Sequence, residues 1–303
     1  MNSAWQAHKE HSTPLAINTI RWIALNMGRP SARLLLYPIT LYYLLFAPKQ
    51  RRGSQLYLTK IFKRPPSWLQ LAKHIHCFAA TILDRIYLIT GQFTQLDITF
   101  PSENMPLRYS RNGVGCILLG SHLGSFEVLR SYAIKKCPLP IKILMHEGQT
   151  PMIMNMLNAL NPNVADTIIP HNEGANSLLK VKEAVANGFA VGLLGDRIAG
   201  NEHEKKAKCM LLGEEVEIPT APILIAASLQ VPLIVFFGLY QGGNRYEIHF
   251  ELLSEKITLS RNNRQQDIQY WTQQYATLLE KYCLARPYNW FNFYDYWQED
   301  ERQ

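Results

Sequence analysis

A histidine and a glutamate of this chain have the residue types and the spacing that proton transfer requires. They are His122 and Glu127, which lie five residues apart in the run Gly120-Ser121-His122-Leu123-Gly124-Ser125-Phe126-Glu127. A carboxylate that binds one imidazole nitrogen leaves the other nitrogen free to take a proton from a hydroxyl. On an ideal helix the two side chains would point about 140° apart, so a loop or first turn at Gly124 and Ser125 must bring them together. The spacing predicts a general base at His122 with Glu127 as its carboxylate.

Two other interpretations of this run stay open. A lone His-x4-Glu is common in sequences, and a histidine after a strand is more often a satisfied polar residue than a base. Ser121 and Ser125 beside His122 also allow a serine hydrolase, although the Gly-x-Ser-x-Gly sequence of a nucleophile elbow is absent. The choice between these interpretations depends on the other motifs of the chain.

The elements that must position these residues alternate between short apolar strands and helices from about residue 92 onward. This alternation predicts an α/β fold in which a mixed, mostly parallel central sheet is flanked by helices. The predicted strands are Leu96–Phe100, Gly115–Gly120, Ile141–Met145, Thr167–Ile169, Ala190–Leu194, Leu233–Tyr240 and Tyr246–Leu252. The predicted helices are Glu127–Lys136, Pro151–Leu160, Ala175–Ala186, Ala221–Leu229 and 262–284.

A second charged pair follows another predicted strand, as His122 follows the first. Asp196 and Arg197 come directly after Gly195, at the end of the strand Ala190–Leu194. Ligands of open α/β sheets bind at the carboxyl ends of strands. Arg197 is a fork-shaped donor for a phosphate or carboxylate, and Asp196 is placed to orient it; a structural ion pair is the alternative. A third strand end carries His146 and Glu147, and the block Glu217–Pro222 precedes a helix.

The positive charge of the chain is concentrated near its start. Residues 1–64 hold ten Lys or Arg and one acidic residue, so all of the formal net charge of +7 lies there. The same segment contains an uncharged run, 34–47, which is shorter than the about 20 residues that span a bilayer. Aromatic residues within the run and arginines and lysines beside it predict a helix on an anionic membrane surface. The alternative is a buried hairpin of a helical subdomain.

These patterns predict two regions of the chain and limit the classes of partner that we expect it to bind. We expect a helical, basic, membrane-associating region at 1–90 and an α/β domain at 91–303. Nucleic acid is not an expected partner, because the basic segment carries no zinc-finger spacing or RNA-binding signature. The five cysteines are scattered and never in Cys-x-x-Cys spacing, which favours reduced structural thiols and no metal site.

Taken in order, the four blocks resemble the lysophospholipid acyltransferase superfamily. His122 and Glu127 match its His-x4-Asp/Glu motif, and Gly195-Asp196-Arg197 resembles its glycine-led charged motif. Pro219 and Val231-Pro232 are similar to the closing proline motif. The segment Ala285–Phe291, which contains Arg286, resembles the ending of the lipid A biosynthesis (late) acyltransferase branch. The run Arg33–Leu58 looks like a predicted acyltransferase subgroup that accompanies aryl polyene-type pathways.

This resemblance implies transfer of a fatty or polyene acyl group from a thioester carrier to a hydroxyl or amine of a lipid or glycolipid. The donor is acyl carrier protein or acyl-coenzyme A, no cofactor is needed, and the place is the cytoplasmic face of a bacterial inner membrane. His122 would be the base, Glu127 would fix its tautomer, and backbone N–H groups near Gly124 and Ser125 would hold the oxyanion. The residues expected to bind substrate are Gly124, Ser125, Glu147, Asp196, Arg197 and Arg286, with Leu123, Phe126 and the 221–229 helix along the acyl chain.

Two functions other than acyl transfer stay open. One is the serine-type lipid hydrolase that Ser121 or Ser125 would serve. The other is a catalytically silent lipid-binding or scaffold protein that retains the fold, against which the intact His122 and Asp196-Arg197 count.

Overall fold

The computed structural model describes residues 14–100, 105–129, 139–145, 167–171, 174–198 and 205–297, and side chains from residue 22 onward. Its first part is helical, as predicted, with four successive helices. These are α1 (Pro14–Leu34), α2 (Leu36–Phe46), α3 (Pro48–Phe62) and α4 (Trp68–Ile89). The division of the chain into domains at residue 90 stays a prediction.

The uncharged run 34–47 contains the whole of α2, and one face of this helix packs on α4. Leu36, Thr40 and Leu44 are the buried positions of that face. Pro38 lies in the first turn of α2, where a missing N–H costs no helical hydrogen bond. Helix α4 begins with a capping box, in which the side chains of Ser67 and Gln70 each accept from the other residue's backbone N–H. Within the described residues, no helix combines the length and apolarity needed to cross a membrane.

A mixed, mostly parallel sheet follows, which confirms the predicted fold class. The described strands of this sheet are β1 (Asp97–Thr99), β2 (Cys116–Gly120), β3 (Ile141–Met145), β4 (Ile168–Pro170), β5 (Ala190–Leu194), β8 (Leu233–Gly242) and β9 (Arg245–Ser254). Their order is β1-β9-β8-β2-β5-β3-β4, and among these described pairs only β8–β9 is antiparallel. The helices around it are α5 (Met105–Arg111), α6 (Ala175–Ala186), α7 (Ala221–Leu229) and α8 (Arg264–Ala285). A further helix begins at Glu127 and is described to residue 129. The predicted helix Pro151–Leu160 lies outside the described residues.

A separate two-stranded hairpin, β6 (Lys206–Leu211) and β7 (Glu214–Pro219), was not predicted. Its sequence alternates, and its burial alternates with it: Ala207, Cys209 and Leu211 are buried between exposed neighbours. The chain turns at Gly213, whose φ of 86° favours glycine. The hairpin packs on α8, where the Gln273 amide side chain bonds both backbone groups of Met210.

The core lies on both faces of the sheet. Alternate residues of β2 belong to two apolar clusters: Ile117 and Leu119 to one, Cys116 and Leu118 to the other. The N-terminal helices are joined to the sheet by a buried ion pair, in which both carboxylate oxygens of Asp84 accept from the Arg29 guanidinium and one also accepts from the Tyr246 hydroxyl.

Candidate active site

The register of two parallel strands brings His122 and Asp196 together. Strand β2 pairs with β5 so that Gly120 lies opposite Leu194, and each polar residue follows two positions later. The imidazole Nδ1 of His122 is 2.8 Å from Oδ1 of Asp196. The backbone N–H of His122 donates to Oδ2 of the same carboxylate at 3.0 Å. The imidazole is therefore fixed by a carboxylate from the neighbouring strand.

Glu127 is not the carboxylate that binds His122, so the predicted hydrogen bond between them is wrong. Its Oε1 is 3.1 Å from Nε of Arg85 on α4, and its buried Oε2 has no partner within the described residues. The reason is local geometry, because the helix that starts at Glu127 directs this side chain toward α4. Whether Glu127 takes part in the reaction stays a prediction.

Asp196 is a fully buried carboxylate with an indole as its further donor. Nε1 of Trp290 donates to Oδ2 at 2.9 Å. Burial alone would raise the pKa of Asp196, but the interactions with His122, Arg197 and Trp290 hold that pKa well below its usual range. The carboxylate is charged at neutral pH and, as a pure acceptor, requires the proton of the His122 imidazole to lie on Nδ1.

His122 consequently presents an unprotonated Nε2 to the cleft. Its side chain is 26% exposed, and no hydrogen bond occupies Nε2 within the described residues. Burial, together with the charge of Arg197, lowers the pKa of His122 below the ordinary value of 6.5, and Asp196 opposes this shift. The imidazole is therefore neutral at pH 7, the state in which it can accept a proton.

The loop after His122 is held by a close approach to β8. Gly124 has a φ of 78°, and a Cβ built there would lie 2.0 Å from the carbonyl oxygen of Gly238. Its N–H donates to the Asn289 carbonyl, and the N–H of Ser125 donates to the Gly238 carbonyl, both at 2.8 Å. The N–H groups of Gly124 and Ser125 themselves are therefore already bonded within the protein. That backbone N–H groups near these two residues hold the oxyanion stays a prediction.

The aromatic tail after α8, residues 288–297, covers the site on the side opposite the sheet loop. Leu123 and Trp290 form an antiparallel bridge, and the N–H of Phe291 donates to the His122 carbonyl at 3.0 Å. Tyr296 donates its hydroxyl proton to the backbone carbonyl of Asp196 at 2.7 Å. Sequence reasoning did not place Trp290 at the site. Its signal was the density of aromatic residues in 288–297, which is unusual for an exposed tail.

Arg197 lies in the wall of the cleft but is not oriented by Asp196 as expected. Its Nη2 donates to the Phe291 carbonyl at 2.6 Å, and its guanidinium stacks 5.4 Å from the ring centroid of Tyr294. Its Nε is buried and has no partner within the described residues. Phe291 and Tyr294 thus hold the Arg197 guanidinium beside His122, and its Nε–H is left without an acceptor within the described residues.

The cleft in front of His122 has a volume of about 330 Å³. Phe126 lines it as predicted, whereas Leu123 is buried in the core and the α7 helix does not line it. Its lining residues are Gln50, Phe78, Thr81, Ile82, Arg85, Ser121, His122, Gly124, Ser125, Phe126, Leu194, Arg197, Phe291, Phe293 and Tyr294.

Of the described residues that were predicted to bind substrate, Gly124, Ser125 and Arg197 line this cleft, whereas Asp196 and Arg286 do not. Arg286 lies at the end of α8, where its Nη2 is 3.9 Å from Oε2 of Glu247, and it is not among the lining residues. Its motif belongs to the tail, but its side chain points to β9. Glu147 and the neighbouring His146 lie outside the described residues.

Two other features of the site bear on its chemistry. Neither Ser121 nor Ser125 is hydrogen-bonded to His122 in the described part of the chain. Four cysteines, Cys77, Cys116, Cys209 and Cys283, are buried free thiols, and Cys137 lies outside the described residues. Among the described residues, no group of three or more His, Cys, Asp or Glu could hold a metal ion.

The sequence profile of the bacterial lipid A biosynthesis acyltransferases matches residues 22–299. The chain belongs to this family. The match confirms the predicted lipid A branch, and it covers every residue that lines the cleft. No curated protein matches the chain significantly. As a member of the lipid A biosynthesis acyltransferase family, the protein is a transferase of lipid biosynthesis, and the cleft at His122 is its candidate acyl-transfer site.

Proposed function

We propose that this acyltransferase moves a fatty or polyene acyl group from a thioester, acyl carrier protein or acyl-coenzyme A, to a hydroxyl or amine of a lipid or glycolipid. His122 is the general base, and Asp196 is the carboxylate that orients it. The observation that carries this assignment is the 2.8 Å contact between Nδ1 of His122 and Asp196, which leaves Nε2 free in the cleft.

The chemistry follows from that tautomer. Nε2 of His122 takes the proton of the acceptor hydroxyl or amine as its oxygen or nitrogen attacks the thioester carbonyl carbon. The tetrahedral intermediate collapses, the carbon–sulfur bond breaks, and the imidazolium returns the proton to the departing thiolate. Asp196 stabilises the imidazolium in between. General-base assistance of this kind contributes roughly 10²–10⁴-fold to the rate.

Arg197 is the residue that we assign to negative charge in the cleft. Its guanidinium is fixed by the Phe291 carbonyl and by Tyr294, so it needs little reordering to bind an anion. A phosphate or carboxylate of donor or acceptor matches its geometry. The apolar wall formed by Phe78, Ile82 and Phe126 suits the acyl chain.

The pH dependence of the reaction reports the state of His122. Because the base must be unprotonated and burial lowers its pKa, we expect kcat/KM to rise with pH through a midpoint below 6.5 and then to level off. Removing the Arg197 charge in Arg197→Ala should move this midpoint upward, since that charge disfavours the imidazolium. A kcat/KM profile from pH 4.5 to 8.5 measures both, and a midpoint well above 6.5 in the wild type would contradict the assignment.

The location that we propose is the cytoplasmic face of a bacterial inner membrane. Large apolar side chains are exposed on the N-terminal helices, among them Phe46 at 70% and Leu34 at 68% exposure. Exposed Arg52 and Lys49 on α3 follow them in the chain. Such a combination binds anionic lipid surfaces. The other exposed large apolar side chains of these helices are Trp22, Met27, Tyr37, Leu41, Tyr42, Leu45, Trp68, Leu69, Phe78 and Ile82.

Vesicle cosedimentation tests this location. We expect the protein to pellet with phosphatidylglycerol-containing vesicles at low salt and far less with pure phosphatidylcholine. The double variant Leu41→Ser/Phe46→Ser should lose most of the binding, whereas Leu284→Ser, an exposed apolar position on α8, should retain it. Wild-type protein that stays in the supernatant with the anionic vesicles would refute the proposal.

The activity itself is tested with purified protein, a panel of acyl carrier protein and coenzyme A thioesters, and a bacterial lipid extract. Mass spectrometry should detect a new acylated lipid, which names donor and acceptor together. Free fatty acid as the sole product would favour a hydrolase, against which the missing serine–His122 hydrogen bonds already count. No turnover with any thioester would favour the lipid-binding protein.

A further inference from the structure

A second histidine, His74 on α4, is fully buried behind the candidate site. Its Nδ1 is 2.7 Å from the Ser54 hydroxyl oxygen, and its Nε2 is 2.8 Å from the carbonyl oxygen of Trp290. The ring also stacks on Phe293, with centroids 4.7 Å apart. His74 does not line the cleft, so it contacts no substrate there.

The partners of His74 define its protonation. Burial lowers the pKa of His74 to about 4, so the ring is neutral. A carbonyl oxygen only accepts, so the single proton lies on Nε2 and points at Trp290. Nδ1 must then accept the proton of the Ser54 hydroxyl. The Trp290 carbonyl thus selects the tautomer, and the Ser54 hydroxyl on α3 holds the ring from the other side as a donor.

The residue that His74 binds is also the donor to Asp196. The Trp290 carbonyl accepts from His74 and from the backbone N–H of Asn292, while its indole Nε1 donates to Asp196 at 2.9 Å. Trp290 is itself fully buried, with Tyr57 edge-on to its ring. A continuous series of hydrogen bonds therefore runs from Ser54 through His74 and Trp290 to the carboxylate that orients the base.

We propose that His74 is a positioning residue for acyl transfer: held by Ser54, it fixes Trp290 so that the indole holds Asp196 in line with His122. This inference rests on the proposed function at His122. A neutral histidine suits the role because it satisfies a donor and an acceptor on opposite sides within the core, which no apolar residue of similar size does. The helical N-terminal region thereby sets the geometry of a base located in the α/β part.

The test is a pair of buried-hydrogen-bond deletions on one helix. His74→Phe keeps a ring but removes both hydrogen bonds. Tyr87→Phe is the matched control, because Tyr87 is equally buried on α4 and donates to the Ala24 carbonyl at 2.8 Å, away from the tail. Ser54→Ala is a milder variant that removes only the donor to Nδ1.

Two measurements separate positioning from stability. For His74→Phe we expect kcat to fall about 10-fold at unchanged KM, as small misplacements of catalytic groups do. The indole N–H resonance of Trp290, assigned with Trp290→Phe, should move upfield as its bond to Asp196 lengthens. Ser54→Ala should fall between His74→Phe and the wild type. Tyr87→Phe should lower the melting temperature without changing kcat or the resonance.

The result that overturns the proposal is a destabilised His74→Phe whose kcat and Trp290 resonance equal those of the wild type. If His74→Phe does not fold, an unchanged kcat and resonance in Ser54→Ala overturn it equally. The resonance does not depend on activity, so a wild type without acyl transfer refutes the proposed function, while a shifted resonance still supports the link from His74 to Asp196.

Discussion

Replacing His122 by alanine should lower the kcat for acyl transfer by roughly 10²–10⁴-fold, the usual contribution of a general base. KM for the thioester should change little, because Nε2 acts on the acceptor proton and does not bind the donor. The measurement is the rate of acylated-lipid formation by mass spectrometry under saturating donor.

His122→Ala also removes a donor from the buried Asp196 carboxylate, so its stability needs a check. His122→Asn is the better-matched variant, since its amide can still donate to Asp196 but cannot take a proton. It should be as inactive as His122→Ala and closer to the wild type in thermal stability. His249→Ala, at a histidine that does not line the cleft, should retain full activity. Near-wild-type transfer by His122→Asn would exclude His122 as the base.

Replacing Asp196 by asparagine should be nearly as damaging, on the order of 10²–10⁴-fold in kcat, because it forces the wrong tautomer. Oδ2 accepts both the His122 backbone N–H and the Trp290 indole, so the amide oxygen must occupy that position. The amide NH₂ then faces Nδ1 of His122, which has to accept. The imidazole proton moves to Nε2, where a base needs a lone pair.

The control for Asp196→Asn is a check that the variant keeps the folded geometry of the site. The hydrogen bonds of Oδ2 survive in the variant, so near-ultraviolet circular dichroism and the melting transition should stay close to those of the wild type. If activity were retained with the fold intact, Asp196 would be a structural anchor of Trp290 and not the partner of the base.

Elements with strong local signals were predictable from the sequence. Strands β3 and β5 and helices α6 and α7 have the predicted bounds, because each has a clear apolar pattern delimited by glycine, proline or a polar residue. The β6–β7 hairpin was missed although the burial of β6 alternates regularly, since its lysines and the glutamates of β7 resemble a loop. A strand whose outer face is mostly polar has little apolar content to reveal it.

The pairing of the candidate site was not predictable from spacing alone. His122 and Asp196 are 74 positions apart in the chain. Both were recognised as polar residues that follow an apolar strand, but their contact depends on β5 being the neighbour of β2, which local sequence does not specify. The prediction took Glu127 as the partner of His122 because this carboxylate is close to the histidine in the sequence. Trp290 was not predicted to lie at the site for the same reason, because its contact with Asp196 joins the aromatic tail to the sheet.

The most direct measurement is the ratio of acyl-transfer rates between two isosteric variants, Asp196→Asn and Glu127→Gln, with one donor and acceptor under saturating conditions. Each removes one carboxylate charge from a partly or fully buried site. Because Asp196 orients the base and Glu127 pairs with Arg85, Glu127→Gln should be at least about 10-fold faster than Asp196→Asn. Equal rates, or a slower Glu127→Gln, would contradict the assignment of Asp196 as the carboxylate that activates His122.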